Sequence, residues 1–184
     1  MLKLAIHRHS AASLTKLLLL FICLISPSAS ICADSSDLLT GEINLRDLQQ
    51  PAFASWFEKN YKDYHPAPDV MEKLRPLMDD VTIMLFMGTW CHDSQREVPR
   101  LMKLLQLVEF SASNLRIIGL STNKMSPSGI EQVFNIKRTP TIVFFHHGTD
   151  IGRVVERPQT TLEQDMFAII ANIEGRDVKV ANDN

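Results

Sequence analysis

From Val81 to Met87 the chain reads Val-Thr-Ile-Met-Leu-Phe-Met, an apolar run of strand length. The next ten residues, Gly88 to Glu97, are mostly polar. Apolar positions then return at Val98, Leu101, Leu104, Leu105 and Val108, the spacing of one helical face. A buried strand therefore turns directly into a helix. A second apolar stretch, Leu115 to Leu120, predicts another core strand, and a helix between two such strands favours parallel pairing with a right-handed crossover. After a polar turn region and a short helix or turn over 130–136, Pro140 opens a strand over Thr141–Phe145. Residues 146–150 predict a turn, and Ile151 to Glu156 a returning hairpin partner. Thr160 or Thr161 caps a last helix with Leu162, Met166, Ile169, Ile170 and Ile173 on one face, and Gly175 is expected to stop it. Residues 176–184 read as a polar, frayed tail.

The amino-terminal third has a different pattern. Residues 1–16 are basic, Leu17 to Ile25 is continuously apolar, and small residues follow up to Ala33. This is the layout of a secretory signal peptide, with cleavage after Ala33 as first choice and after Ser30 as second. An uncleaved membrane anchor is the alternative, but nine apolar residues fall well short of the roughly 20 that span a bilayer. Residues 34–42 read as a polar linker. Residues 43–80 read as a helical extension, with Pro51 starting a helix and Asp69 capping a short one. Trp56, Phe57, Tyr61 and Tyr64 are read as packing that extension onto the sheet, and His65 as an exposed loop residue.

The chemistry centres on Cys91. It falls where the strand becomes the helix, beside first-turn N–H groups that have no partner inside the helix and carry the positive end of its dipole. A thiolate there is stabilised, which raises its nucleophilicity at neutral pH. Asp93 is placed to cap the helix, while Arg96, Glu97 and Arg100 read as a solvated face. Of the two neighbours of the sulfur, a protonated His92 favours the thiolate and a carboxylate at Asp93 disfavours it.

Trp90-Cys91-x-x-Ser94 with Pro99 behind it, and Arg138-Thr139-Pro140-Thr141 followed by Ile142 to Phe145, together resemble the active-site turn and the proline strand of the thioredoxin superfamily. The longer run from Gly88 to Arg100 is similar to a group of bacterial single-cysteine thioredoxin-like proteins. The resemblance covers roughly residues 81 to 173. It implies an α/β thioredoxin fold over residues 81–175, a central mixed sheet flanked by helices, with 43–80 as an added segment. It implies Cys91 as nucleophile and a cis peptide before Pro140, with Trp90, Thr139 and Pro140 as the substrate-binding positions. Two departures matter. Ser94 stands where the family has its second cysteine, and Leu85 where thioredoxins carry a buried acid. Ser94 keeps a hydroxyl able to donate to the Cys91 sulfur, yet it cannot form the disulfide that releases a substrate.

Totals narrow the functional classes. The chain has 184 residues, 45% hydrophobic, enough for one domain with its own core. Beyond residue 33 it holds 16 basic and 21 acidic residues, so it lacks the clustered positive charge of a nucleic-acid binder. Cys23 and Cys32 fall in or at the end of the leader, which leaves Cys91 alone in the domain and no internal disulfide. Cys91-His92 and His146-His147 offer soft ligands, but neighbouring side chains point in different directions, so no metal and no cofactor is expected. The expected partners are protein disulfides or thiols, or a small thiol such as glutathione, with no membrane span in the mature chain. A thioredoxin-fold binding module without catalysis and a redox sensor oxidised at Cys91 remain as alternatives.

Overall fold

The computed structural model describes residues 38–182, with side chains as far as residue 173. The proposed leader and the first part of the linker lie outside the described residues, which belong to one compact unit. In chain order the elements are β1 (Gly41–Ile43), α1 (Leu45–Leu48), α2 (Pro51–Asp63), α3 (Pro68–Leu74), β2 (Val81–Met87), α4 (His92–Leu107), β3 (Leu115–Gly119), α5 (Ile130–Val133), β4 (Thr141–His146), β5 (Thr149–Val155) and α6 (Leu162–Asn182). Single 3-10 turns at Arg75–Leu77 and Ala112–Asn114 lead into β2 and β3.

The sheet order is β1-β3-β2-β4-β5. The most apolar strand, β2, sits in the middle and is buried at every position but Thr82. A strand with helices over both faces must be apolar on both, which is why its sequence does not alternate. Its pairing with β3 is parallel, through the crossover helix α4, and its pairing with β4 antiparallel, with Val81 opposite His146 and Phe86 opposite Thr141. β5 pairs antiparallel with β4 through a bulge at Phe144/Phe145. This mixed sheet flanked by helices is a thioredoxin-like α/β fold.

Successive side chains of β2 go to opposite faces. Val81, Ile83, Leu85 and Met87 enter the larger core with Phe57, Leu74, Val98, Leu101, Met166 and Ile170. Met84 and Phe86 enter the smaller one with Ile118, Leu120, Ile136 and Val143. Leu85, in the place of a buried acid, is wholly enclosed.

Several expectations need correction. A strand, β1, spans the end of the stretch read as linker and the first residue of the extension, and it pairs antiparallel with β3, Gly41 opposite Gly119. The approach is so close that a Cβ on Gly119 would stand 2.4 Å from the Leu39 carbonyl oxygen, so glycine is required there. Asp69 does not cap its helix. Pro68 takes the first helical position after Ala67, and Asp69 sits in the first turn, where its charge suits the dipole. Gly175 does not stop α6, which continues to Asn182. Thr161 does cap it, its Oγ1 accepting from the Gln164 N–H at 3.4 Å. The hairpin turn is shorter than expected, only His147-Gly148, because β4 keeps His146 and β5 begins at Thr149.

Pro99 lies inside α4. Having no N–H, it leaves the carbonyl four residues earlier, that of Gln95, without its helical partner. Asn60 of α2 supplies the missing donor, its Nδ2 reaching the Gln95 oxygen at 3.1 Å and the Trp56 oxygen at 2.9 Å. The extension is thus bonded into the helix that carries Cys91. Phe57 is core, and Trp56, Tyr61 and Tyr64 pack against it, while His65 is exposed. No helix among the described residues is long and apolar enough to cross a membrane.

Candidate functional site

Beyond Met87 the chain turns back through one hydrogen bond, from the Cys91 N–H to the Gly88 carbonyl at 3.0 Å. Gly88 is required by what lies on it. A Cβ there would stand 2.5 Å from the Trp90 indole. The indole is fixed at its other end, Nε1 donating to the Leu120 carbonyl at 2.9 Å. Trp90 is thereby clamped across the carboxyl ends of β2 and β3, beside the sulfur-bearing residue.

Cys91 is the N-cap of α4, in extended conformation, and its carbonyl accepts the first helical bond from Gln95 at 2.9 Å. Its thiol is free and partly exposed. The S–H donates to the Thr139 carbonyl, Sγ and oxygen 3.1 Å apart across 48 residues of sequence. Thr139 is buried, 3% exposed, and the Thr139–Pro140 peptide is cis. Trp90, Cys91, Thr139 and Pro140 therefore meet in one place. Arg138, just before them, is held outward by an ion pair to Glu156.

Ser94 is fully buried one turn into α4, and its Oγ accepts from the Gly88 N–H at 3.3 Å. Its partner is the turn's backbone, while the thiol has gone to Thr139. Asp93 does not cap α4: it occupies the second helical position, and its carboxylate receives Arg157 Nε at 2.9 Å and Arg96 at 2.9 Å. The first-turn N–H groups beside Cys91 are therefore not taken by that side chain. His92 is exposed.

The supposed solvated face of α4 is not one. Glu97 is 2% exposed, with Arg96 Nε 2.5 Å and Arg100 3.3 Å from its Oε1. Arg100 lies over the Tyr64 ring, 5.2 Å from its centroid. The Tyr64 hydroxyl donates to the buried Glu163 carboxylate of α6, which also accepts from the Ala67 N–H at 3.1 Å. Burial alone would push the Glu163 carboxyl up, but these hydrogen bonds outweigh it and hold the group below the ordinary carboxylate range. Burial, together with the same contact, raises the Tyr64 hydroxyl well above its usual value. One sequence signal could have disclosed part of this shell: a proline inside a helix frees a carbonyl four residues back, and an amide side chain is a natural donor to it.

The expectation that adjacent histidines point apart also fails. His147 has φ +47°, which turns the chain at that residue, and the His146 and His147 rings lie 4.0 Å apart.

No family model and no curated protein matches the chain. Among solved structures it is similar to a protein of unknown function from Pseudomonas aeruginosa, at 20% identity over 67% of this chain and 82% of that one, TM-score 0.46. It is also similar to thioredoxin f2 of Chlamydomonas reinhardtii, at 18% identity over 46% and 78%, TM-score 0.34. Mitochondrial thioredoxin 3 of Saccharomyces cerevisiae shares 23% identity over 52% and 86%, TM-score 0.32. At such distances the fold assignment rests on the strand order and the crossover helix, not on these likenesses.

Proposed function

We propose that this protein is an exported thiol–disulfide oxidoreductase of the single-cysteine thioredoxin-like kind, with Cys91 as nucleophile. The observation that carries the reading is a free, partly exposed thiol at the N-cap of a sixteen-residue helix, touching the carbonyl just before Pro140. Ionisation removes the S–H donor from that contact and leaves the sulfur facing a carbonyl oxygen. The thiolate is then better served by the helix N–H groups and by an incoming disulfide.

The thiolate attacks one sulfur of a substrate disulfide. A bond forms from Cys91 to that sulfur, the old S–S bond breaks, and the second substrate sulfur leaves as thiolate. Trp90, Thr139 and Pro140 line the place where the extended substrate segment lies. Because position 94 is serine, the mixed disulfide is not resolved from within. A second thiol, from the substrate or a small molecule such as glutathione, attacks the substrate sulfur and returns Cys91 as thiolate. His92 is free to add positive charge near the sulfur, while the charge of Asp93 is met by Arg96 and Arg157. In this reading the leader over residues 1–33 takes the chain to the periplasm and is removed there.

A second reading, a binding module that uses the groove without catalysis, is favoured by one observation: the hydrogen bond to Thr139 is made only by the protonated thiol. Trapping separates the two. Acid-quenched cells are expected to yield the protein disulfide-linked to partners through Cys91, and Cys91→Ser to yield none. An alkylation rate for Cys91 no faster than that of a free cysteine at every pH, with nothing trapped, sinks the enzymatic reading.

A further inference from the structure

At the end of the sheet remote from Cys91, three side chains that have no part in thiol chemistry converge. Asp80, His146 and His147 each offer a ligand atom, and these atoms all lie within 4.8 Å of one another. The strand register makes this meeting unavoidable. Val81 of β2 is opposite His146 of β4, so the residue before Val81 lies across from the residue after His146.

The turn supplies the rest. His147 and Gly148 both have positive φ, +47° and +79°, as the two central residues of a type I′ hairpin turn must. The usual first residue of such a turn is asparagine, aspartate or glycine. A histidine there meets the backbone requirement less well, and histidine is among the few residues found in that region at all. What it gains is direction. In a regular strand His147 would face away from His146, but the left-handed turn brings the two rings to 4.0 Å. Asp80 and His146 line a cavity of about 220 Å³ walled by Pro76, Leu77, Ile170 and Ile173.

We infer that Asp80, His146 and His147 form a binding site for a divalent transition-metal ion of the zinc class. Two imidazoles and one carboxylate suit such an ion, and three protein ligands leave a position open. Ligand atoms about 2 Å from a tetrahedral zinc stand about 3.3 Å from one another, so the three groups close onto an ion by small side-chain rotations. The hairpin and the loop before β2 would then be tied together. About 20 Å of strand separates this place from the Cys91 turn, so neither site supplies ligands to the other.

The test uses the full chain carrying Cys23→Ser, Cys32→Ser and Cys91→Ser, which removes every thiol as a competing ligand. Zinc is titrated calorimetrically, and cobalt is followed by its visible bands. One saturable ion per chain that depends on His147 is expected. Outer-shell partners alone are worth about 10–100-fold in metal affinity, so loss of a ligand in His147→Asn is expected to cost at least about a hundredfold. Asparagine is the residue this turn prefers, so thermal unfolding of the metal-free variant should match or exceed that of its parent. Asp80→Asn should weaken binding in the same direction. If the parent binds no ion saturably, or His147→Asn binds as tightly as the parent, the site does not exist. Neither result touches the proposal for Cys91, which is read by trapping.

Discussion

The turn that carries Cys91 and the shell that holds its helix are built by opposite means. The turn is local: Gly88, Cys91 and Ser94 close it among themselves through backbone and one hydroxyl. The shell is assembled from far away: Asn60 to Gln95, Arg157 to Asp93, and Tyr64 to Glu163, which lie 35, 64 and 99 residues apart. The turn decides what chemistry is available, and the shell decides whether the helix dipole stays aimed at it. Mutations should therefore separate cleanly, altering reactivity in one region and stability in the other.

The largest effect is expected from restoring the second thiol. Ser94 is wholly buried one helical turn from Cys91, and Ser94→Cys changes the site by one atom. An internal thiol replaces a bimolecular reductant, and neighbouring groups reach effective concentrations far above those of free thiols. Disulfide reduction in an insulin precipitation assay is expected to rise by at least about tenfold, with the unfolding midpoint little changed. Activity that stays at the wild-type level would mean that position 94 does not face the substrate disulfide. The turn would then be less local in function than in structure.

This contrast also fixes how much could be read from the sequence. Strand β2 and the Cys91 turn announce themselves, since an apolar run, a glycine, a tryptophan and a cysteine within a dozen residues obey short-range rules. So does the Pro140 segment, because the residues around it repeat a recognisable local pattern. The shell does not. Glu97 and Arg100 look like any exposed helical charges until Tyr64, held by Glu163, closes over Arg100, and that depends on how α2 and α6 are mounted. Edge strand β1 was hidden for the same reason: three polar-flanked residues become a strand only when Gly119 lets another backbone approach. The turn at His147 is not legible from neighbouring positions, because the rule that adjacent side chains diverge holds in a regular strand and lapses where φ becomes positive.

A smaller effect, on stability alone, is expected from the Tyr64–Glu163 pair. Hydrogen bonds to charged groups contribute about 1.5–3 kcal/mol, so Tyr64→Phe should lower unfolding free energy by roughly that much. The Cys91 alkylation rate should not change. The pH dependence has a definite sign. Glu163 is held below its unfolded value, so the folded state binds its proton less readily than the unfolded one. That stability is fully present above the unfolded pKa of about 4.3 and is lost as pH falls through the lower folded value. Urea midpoints between pH 3 and pH 6, scanned at about half-unit steps, should show the acid limb flattened in Glu163→Gln. An unchanged limb would remove Glu163 from the shell.

The smallest effect is the most discriminating, because it tests one bond against one missing hydrogen. Asn60→Ala takes the donor from the Gln95 carbonyl and should cost about 1–2 kcal/mol, the penalty of a partly buried carbonyl left without a partner. Pro99→Ala restores a main-chain N–H four residues beyond that carbonyl, and so gives it a donor of its own. In the Pro99→Ala background the cost of Asn60→Ala should therefore shrink by about half or more, a coupling within the range that contacting residues show. Additive costs in that cycle would mean that Asn60 acts only through Trp56. The bond between α2 and the Cys91 helix would then have no energetic content, and the shell would reduce to its charged side.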